Sequence, residues 1–314
     1  MNNAGGRVTL GQLVKGIPWT ARHLVDRIAQ RRRRREWSSR TEPFVHQVSE
    51  RCAFTLYPDQ YIDGEIYALG AYELQFIDLI RTTVTGRDLV ALDIGANIGN
   101  HALHLSDNFS EIHCFEPNPE TLRRLRTNIS LSGAGAKVKV HPVGLSDEDA
   151  ELPFAVNDEG DLGSSYFSPG RTSPNSITLP VRRGSDYLDK QGITRVDFIK
   201  LDVENHEVEV LRGLRRVIAR DRPLVVFEYH GGRDDVPAFD LLAATMPGYL
   251  FAEACHAPAD ASLLEKLVWN LTHHGRPELR LFTRPEPRTY ENIVAFPDAA
   301  YFDRVNGLAS AGTR

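Results

Sequence analysis

The stretch LVALDIGANIGNHALHL, residues 89–105, carries an apolar strand-like run into Asp93, two spaced glycines and Asn97, and then into a helix-like pattern. Glycine belongs where the backbone must turn with positive φ or approach a ligand closely. The turn therefore reads D-x-G-x-N-x-G, built on Asp93, Gly95, Asn97 and Gly99 with Ala96 between them. Taken alone, it serves equally well as a strand-to-helix turn in which Asp93 caps the helix. A second acid, Glu116, closes the next apolar run, EIHCFEP. A carboxylate about 20 residues beyond such a loop accepts hydrogen bonds from the two hydroxyls of a ribose, and this tips the reading toward an adenosine-like ligand.

Charge then selects among nucleosides. A dinucleotide lays its pyrophosphate over the glycine loop and helix N-terminus, where Asp93 would repel it, and G-x-G-x-x-G is missing. S-adenosylmethionine has no phosphate but a cationic sulfonium and an ammonium group, which suit Asp93.

Outward from the loop, apolar runs alternate with helical patterns. After EIHCFEP comes NPETLRRLRTNISLSG, in which Asn118 caps, Pro119 opens the helix, Leu122, Leu125 and Ile129 share a face, and Gly133 ends it. KVKVHPV, VDFIKLDVE and PLVVFEYH read as further strands, and HEVEVLRGLRRVI places Val210, Leu214 and Val217 on one stripe. Repeated strand and helix imply a doubly wound, mostly parallel α/β sheet with ligands at the carboxyl ends of its strands.

Several stretches in this order resemble the FkbM-type, S-adenosylmethionine-dependent class I methyltransferases: GAYELQFIDLI, ALDIGANIGNHAL, HCFEPNPETLRRLRTNI, VGLSDEDAELPF, DFIKLDVENHEVEVLRG and VVFEYH. The family's D-x-E-G-x-E is kept at Asp202, Glu204 and Glu207, with Asn205 in the glycine position. The resemblance implies a Rossmann-like, seven-stranded sheet ending in an antiparallel pair, GYLFAEA and YENIVAFP, and a capping strand and helix over residues 61–80. It implies S-adenosylmethionine contacts from Tyr72, Glu73, the loop residues, Glu116 with Pro117, Gly144 and Leu145 beside the adenine, and Asp202 near the transferred methyl. Glu204 and His206 are the candidate bases, with Glu204 preferred and a metal-free transfer expected. The implied acceptor is a hydroxyl on a sugar, glycan or other natural product.

The rest of the composition bounds these readings. With 314 residues and 41% hydrophobic content, the chain is long enough for one large core. No apolar run is long enough for a membrane helix and no secretion signal is recognisable, so a cytoplasmic protein is expected. Three widely spaced cysteines fit neither a disulfide framework nor a zinc cluster. Residues 1–40 hold ten basic side chains against two acids, a net +8, which leaves −13 on the rest of a chain whose total is −5. This asymmetry suggests a basic helical arm over residues 1–50, a methyltransferase domain over 51–300 and a tail over 301–314. Arg31 to Arg35 suggest weak contact with an anionic surface, on a helix whose Leu24, Val25 and Ile28 share a side. A nucleic-acid methyltransferase is disfavoured because the Asn/Asp-Pro-Pro-aromatic signature is missing. A non-catalytic cofactor-binding protein is disfavoured by the acids kept at strand ends.

Overall fold

The computed structural model describes residues 19–155, 166–167, 176–203, 206–230, 236–255, 278–286 and 289–311. The described chain opens with helix α1 (Trp19–Trp37), the antiparallel hairpin β1 (Phe44–Ser49) and β2 (Cys52–Leu56), and helices α2 (Tyr61–Leu69) and α3 (Leu74–Thr83). The expected capping strand is thus a helix. Gly70, at φ 93°, stops α2, and Glu73, left-handed at φ 52°, starts α3.

Strand and helix then alternate: β3 (Val90–Ile94), α4 (Asn100–Leu105), β4 (Glu111–Phe115), α5 (Pro119–Leu131) and β5 (Val138–His141). Next come β6 (Gly144–Ser146), β7 (Ala150–Ala155), β8 (Tyr166–Phe167) and β9 (Ser176–Arg183), which form a separate small sheet in the order β6-β9-β7-β8. Alternation resumes with α6 (Gly184–Lys190), β10 (Phe198–Leu201), α7 (Glu207–Asp221), β11 (Leu224–His230) and α8 (Val236–Thr245). The chain closes with β12 (Leu250–Cys255), β13 (Glu278–Phe282), β14 (Thr289–Phe296) and α9 (Ala299–Ala311).

The main sheet has eight strands in the order β13-β12-β14-β11-β10-β3-β4-β5. From β5 to β11 the strands are parallel, while β14 runs antiparallel to both β11 and β12, between which it lies. The seven expected strands are all present. The eighth, β13, pairs with β12 at the edge and comes from the segment between the two expected terminal strands.

Parallel strands covered on both faces read as continuous apolar runs, and all four residues of β10 are buried. One core joins Ala91, Cys114 and Phe198 to Phe54, Ile66, Ile77, Ile80 and Leu125 on the side of α2 to α5. The other joins Leu92, Ile94, Phe115 and Leu201 to Val210, Leu214 and Val217 of α7. By strand alternation Asp93 and Lys200 share the first face with Ala91 and Phe198. The predicted cap of α5 is present, with Asn118 Oδ1 accepting from Glu120 N at 3.0 Å and Pro119 at the first turn.

Both ends of the described part of the chain pack onto this body. The hairpin spans residue 50, and Trp37 lies against Phe44 and Tyr67. Phe302 and Val305 of α9 are buried in the first core. Ile28 does not pack as an apolar stripe would: it is 60% exposed. The side chains of Leu24 and Val25 lie outside the described residues. No helix among the described residues is long and apolar enough to cross a membrane.

Candidate active site

The loop after β3 has the conformation its residues suggested. Gly95, Asn97 and Gly99 all have positive φ, at 78°, 49° and 90°. The amides of Gly95 and Ala96 both donate to Phe115 O, at 3.0 and 3.1 Å, which fastens the loop to the end of β4. A Cβ on Gly95 would lie 1.7 Å from Asp202 O, so only glycine allows the loops after β3 and β10 to meet.

Glu116 sits beside this loop, 7% exposed. Its Oε2 accepts from Asn97 N at 3.1 Å and its Oε1 from Asn118 N at 2.9 Å. Burial raises the carboxyl to about 7, against the two amide bonds that favour its charge. Each carboxylate oxygen has two lone-pair sites, so one bond apiece leaves acceptor capacity for ligand hydroxyls.

Behind the loop lies a cation that the sequence reading did not single out. Lys200, 6% exposed, places Nζ 2.9 Å from Asp202 Oδ2 and 3.8 Å from Asp93 Oδ1. Burial works against its charge, but the charges of Asp202 and Asp93 outweigh it and hold the ammonium well above the usual lysine range. Asp93 is 4% exposed, and neither of its carboxylate oxygens receives a hydrogen bond within the described residues. A buried carboxylate with unfilled acceptor positions fits a ligand that brings donors or positive charge.

The segment between α2 and α3 is bolted to the loop's helix. Asn100 Oδ1 accepts from Tyr72 N at 3.1 Å while its Nδ2 donates to Tyr72 O at 2.9 Å. Glu73 is held by Asn292 Nδ2 at 3.1 Å and lies 3.0 Å from His101 Nε2. Burial opposes its charge, but His101, Lys200 and Asn292 together keep its carboxyl below the ordinary range. Burial, followed by the charges of Glu73, Glu228 and Asp202, raises the Tyr72 phenol well above the ordinary tyrosine range.

The remaining expected residues are distributed unevenly. Pro117 is half-buried between Glu116 and Asn118. Gly144 and Leu145 form β6, paired with β9, and Leu145 is buried in the core with Ile94 and Phe115. Glu204 and Asn205 lie outside the described residues. His206 precedes α7 but is 3% exposed, with Nε2 3.1 Å from Ser146 Oγ and burial lowering its pKa. The structure thus gathers Tyr72, Glu73, Asp93, the glycine loop, Glu116 and Asp202 at the carboxyl ends of β3, β4 and β10, and turns His206 toward β6.

Lys200, Asn100, His101 and Asn292 are the site residues that sequence reasoning missed. The one available signal was a lysine inside the apolar run DFIKL, where a buried charge requires a partner.

The parallel strands, the antiparallel β14 within the sheet and the glycine loop after β3 define a class I, Rossmann-like methyltransferase fold. The profile described as "Methyltransferase FkbM domain" matches residues 93–254, and the chain belongs to that family. The hexuronic acid methyltransferase AglP of Haloferax volcanii is 30% identical over 156 residues, which are 50% of this chain and 62% of that protein. The 2-O-methyltransferase NoeI of Sinorhizobium fredii is 27% identical over 185 residues, covering 50% of this chain and 74% of its own. The solved FkbM methyltransferase of Methylobacillus flagellatus aligns over 69% of this chain and 47% of its own, at 18% identity and a TM-score of 0.37.

Proposed function

We propose that this protein is an S-adenosylmethionine-dependent methyltransferase that methylates a hydroxyl of a sugar or a related natural product. The observation that carries the reading is the pair of buried acids flanking the glycine loop. Glu116 retains acceptor capacity for ribose hydroxyls, and among the described residues nothing donates a hydrogen bond to either oxygen of Asp93. Membership of the FkbM family and similarity to proteins named as a hexuronic acid methyltransferase and a 2-O-methyltransferase support a sugar hydroxyl as acceptor.

When bound, S-adenosylmethionine supplies an electrophilic methyl group on a cationic sulfur that is already a good leaving group. The protein's task is then to position the acceptor and to accept the hydroxyl proton. In this reading Asp93 and Asp202 attract the positive end of the cofactor, and Lys200 sets how much of their charge remains for it. Gly95, Ala96, Asn97 and Gly99 give the cofactor a close backbone surface, Tyr72 and Glu73 close it from the cap, and Gly144 and Leu145 border the adenine. Glu204, two residues beyond Asp202, takes the acceptor proton. His206, engaged with Ser146, has the smaller part.

The basic helix has a separate role in the proposal. Arg33 and Arg34 fold back onto α2, through Ala68 O and Glu65, while Arg31, Arg32 and Arg35 are exposed and offer a weak contact to an anionic surface.

Calorimetric titration with S-adenosylmethionine, S-adenosylhomocysteine and NAD tests the cofactor reading. Binding of the first two and not of NAD is expected; selective NAD binding would overturn it. Once an acceptor is in hand, Glu204→Gln should slow turnover far more than it weakens cofactor binding. His206→Gln should have the smaller effect.

A further inference from the structure

Tyr61 is the first residue of α2 and is 63% exposed, the most exposed large hydrophobic or aromatic residue of the described chain. Its ring meets that of Tyr72 nearly perpendicularly, with centroids 6.3 Å apart and planes at 78°. Tyr72 is in turn fixed to the glycine loop's helix through both of its backbone polar groups by Asn100. An uncovered aromatic ring therefore stands next to the cap of the candidate site.

The helix that carries it is braced. Glu65, one turn along α2, accepts two hydrogen bonds from Arg34 at 2.6 and 3.0 Å, and Tyr67 donates to Glu36 at 3.0 Å. A recognition ring on a braced helix is presented in one orientation, with little ordering left for binding to impose. Exposing so much of a tyrosine in a protein that buries most of its aromatic residues is what a surface for a partly apolar, partly polar ligand requires.

We propose that Tyr61 is the platform for the acceptor's sugar ring, stacking on the C–H face of a neutral pyranose and directing one of its hydroxyls past Tyr72 toward Asp202. The inference rests on the methyltransferase reading above and adds the acceptor's binding residue and charge. A pyranose has a face of C–H groups with partial positive charge, which matches the negative face of a phenol ring, and a rim of hydroxyls that need acceptors. Acids of the candidate site supply those acceptors: Glu73 follows Tyr72 directly in the chain and lies 3.0 Å from His101, and Asp202 meets the glycine loop at Gly95; the charges of both, with that of Glu228, raise the Tyr72 phenol. Both nearby cations are already committed: Lys200 to Asp202 and Asp93, and Arg34, beside Tyr61, to Glu65 through two hydrogen bonds. Among the described residues the mouth is thus acidic, so it favours hydroxyls and repels a carboxylate on the sugar.

The test uses the full chain saturated with S-adenosylhomocysteine. Saturation-transfer NMR is recorded with the methyl glycosides of glucose, galactose and mannose and with methyl glucuronide, on wild type, Tyr61→Ala and Tyr61→Phe. At least one neutral glycoside should bind the wild type with transfer strongest at its ring C–H protons, and more tightly than the glucuronide. Tyr61→Ala should weaken it at least fivefold, Tyr61→Phe should stay within twofold, and S-adenosylhomocysteine affinity should be the same in all three. Equal glycoside binding by Tyr61→Ala, tighter binding of the glucuronide, or no glycoside binding to a wild type that holds S-adenosylhomocysteine would each overturn the platform alone. Failure of the wild type to bind S-adenosylhomocysteine would instead overturn the cofactor reading and the platform with it.

Discussion

Glu116→Gln should flatten the pH dependence of stability between about pH 5.5 and 8.5. In the folded protein the carboxyl is raised to about 7 from an ordinary 4.5, with burial as the main cause. A raised acid binds its proton more tightly when folded, so its contribution is fully present below the unfolded pKa and is lost as pH rises through the folded one. With those two values, linkage gives a loss of about 2 kcal/mol between pH 5.5 and 8.5 from this one group. Glutamine cannot titrate, and although it presents one amide group where an N–H needs an acceptor, that cost does not vary with pH. Urea denaturation of both proteins at several pH values, taken as a difference, cancels every other titrating group, including Asp63, which burial raises to about 6. The same carboxylate should bind ribose hydroxyls only when ionised, so S-adenosylhomocysteine affinity should rise with pH up to about 7 and then level off. Stability curves for wild type and variant that stay parallel within about 0.5 kcal/mol would refute the raised carboxyl.

Two further substitutions probe the same site. Gly95→Ala should displace the loops after β3 and β10, because its Cβ would meet Asp202 O at 1.7 Å; a lower melting temperature and lost S-adenosylhomocysteine binding are expected, and normal binding calorimetry would contradict the close approach. Lys200→Met removes the buried partner of two acids and should destabilise the fold by about 3–5 kcal/mol, read by urea denaturation; a stability unchanged at neutral pH would show that Asp93 and Asp202 do not depend on it.

What was legible in the sequence was local. Asp93, the glycine turn, the Asn118 cap and the alternation of strand and helix each depend on neighbours a few residues away. Lys200 was not legible, because its partner Asp93 is brought opposite it by the register of β10 on β3, 107 positions earlier in the chain. Asn292 holding Glu73 is a contact across 219 residues. The cap misread had another cause. Gly64 inside YIDGEIYAL lowers helix propensity, yet it is helical because the Trp37 indole lies over it, where a Cβ would come within 2.9 Å of Nε1. The orientation of His206 likewise follows from how α7 docks on β6, which no local pattern encodes.

The position of β14 has a consequence for how the protein is made. It follows β12 and β13 in sequence but lies between β11 and β12 in the sheet, and it carries the Asn292 that secures Glu73. During synthesis, which releases the N-terminal part first, the glycine loop and its acids leave the ribosome while the slot for β14 is still open. Until Thr289–Phe296 arrives, β11 and β12 cannot be joined through it, and both present bare apolar edges of the kind that recruit other chains. The nascent protein can therefore form its glycine loop early but completes the corner beside Glu73 late, and a ribosome stalled before residue 289 would hold a species prone to aggregation.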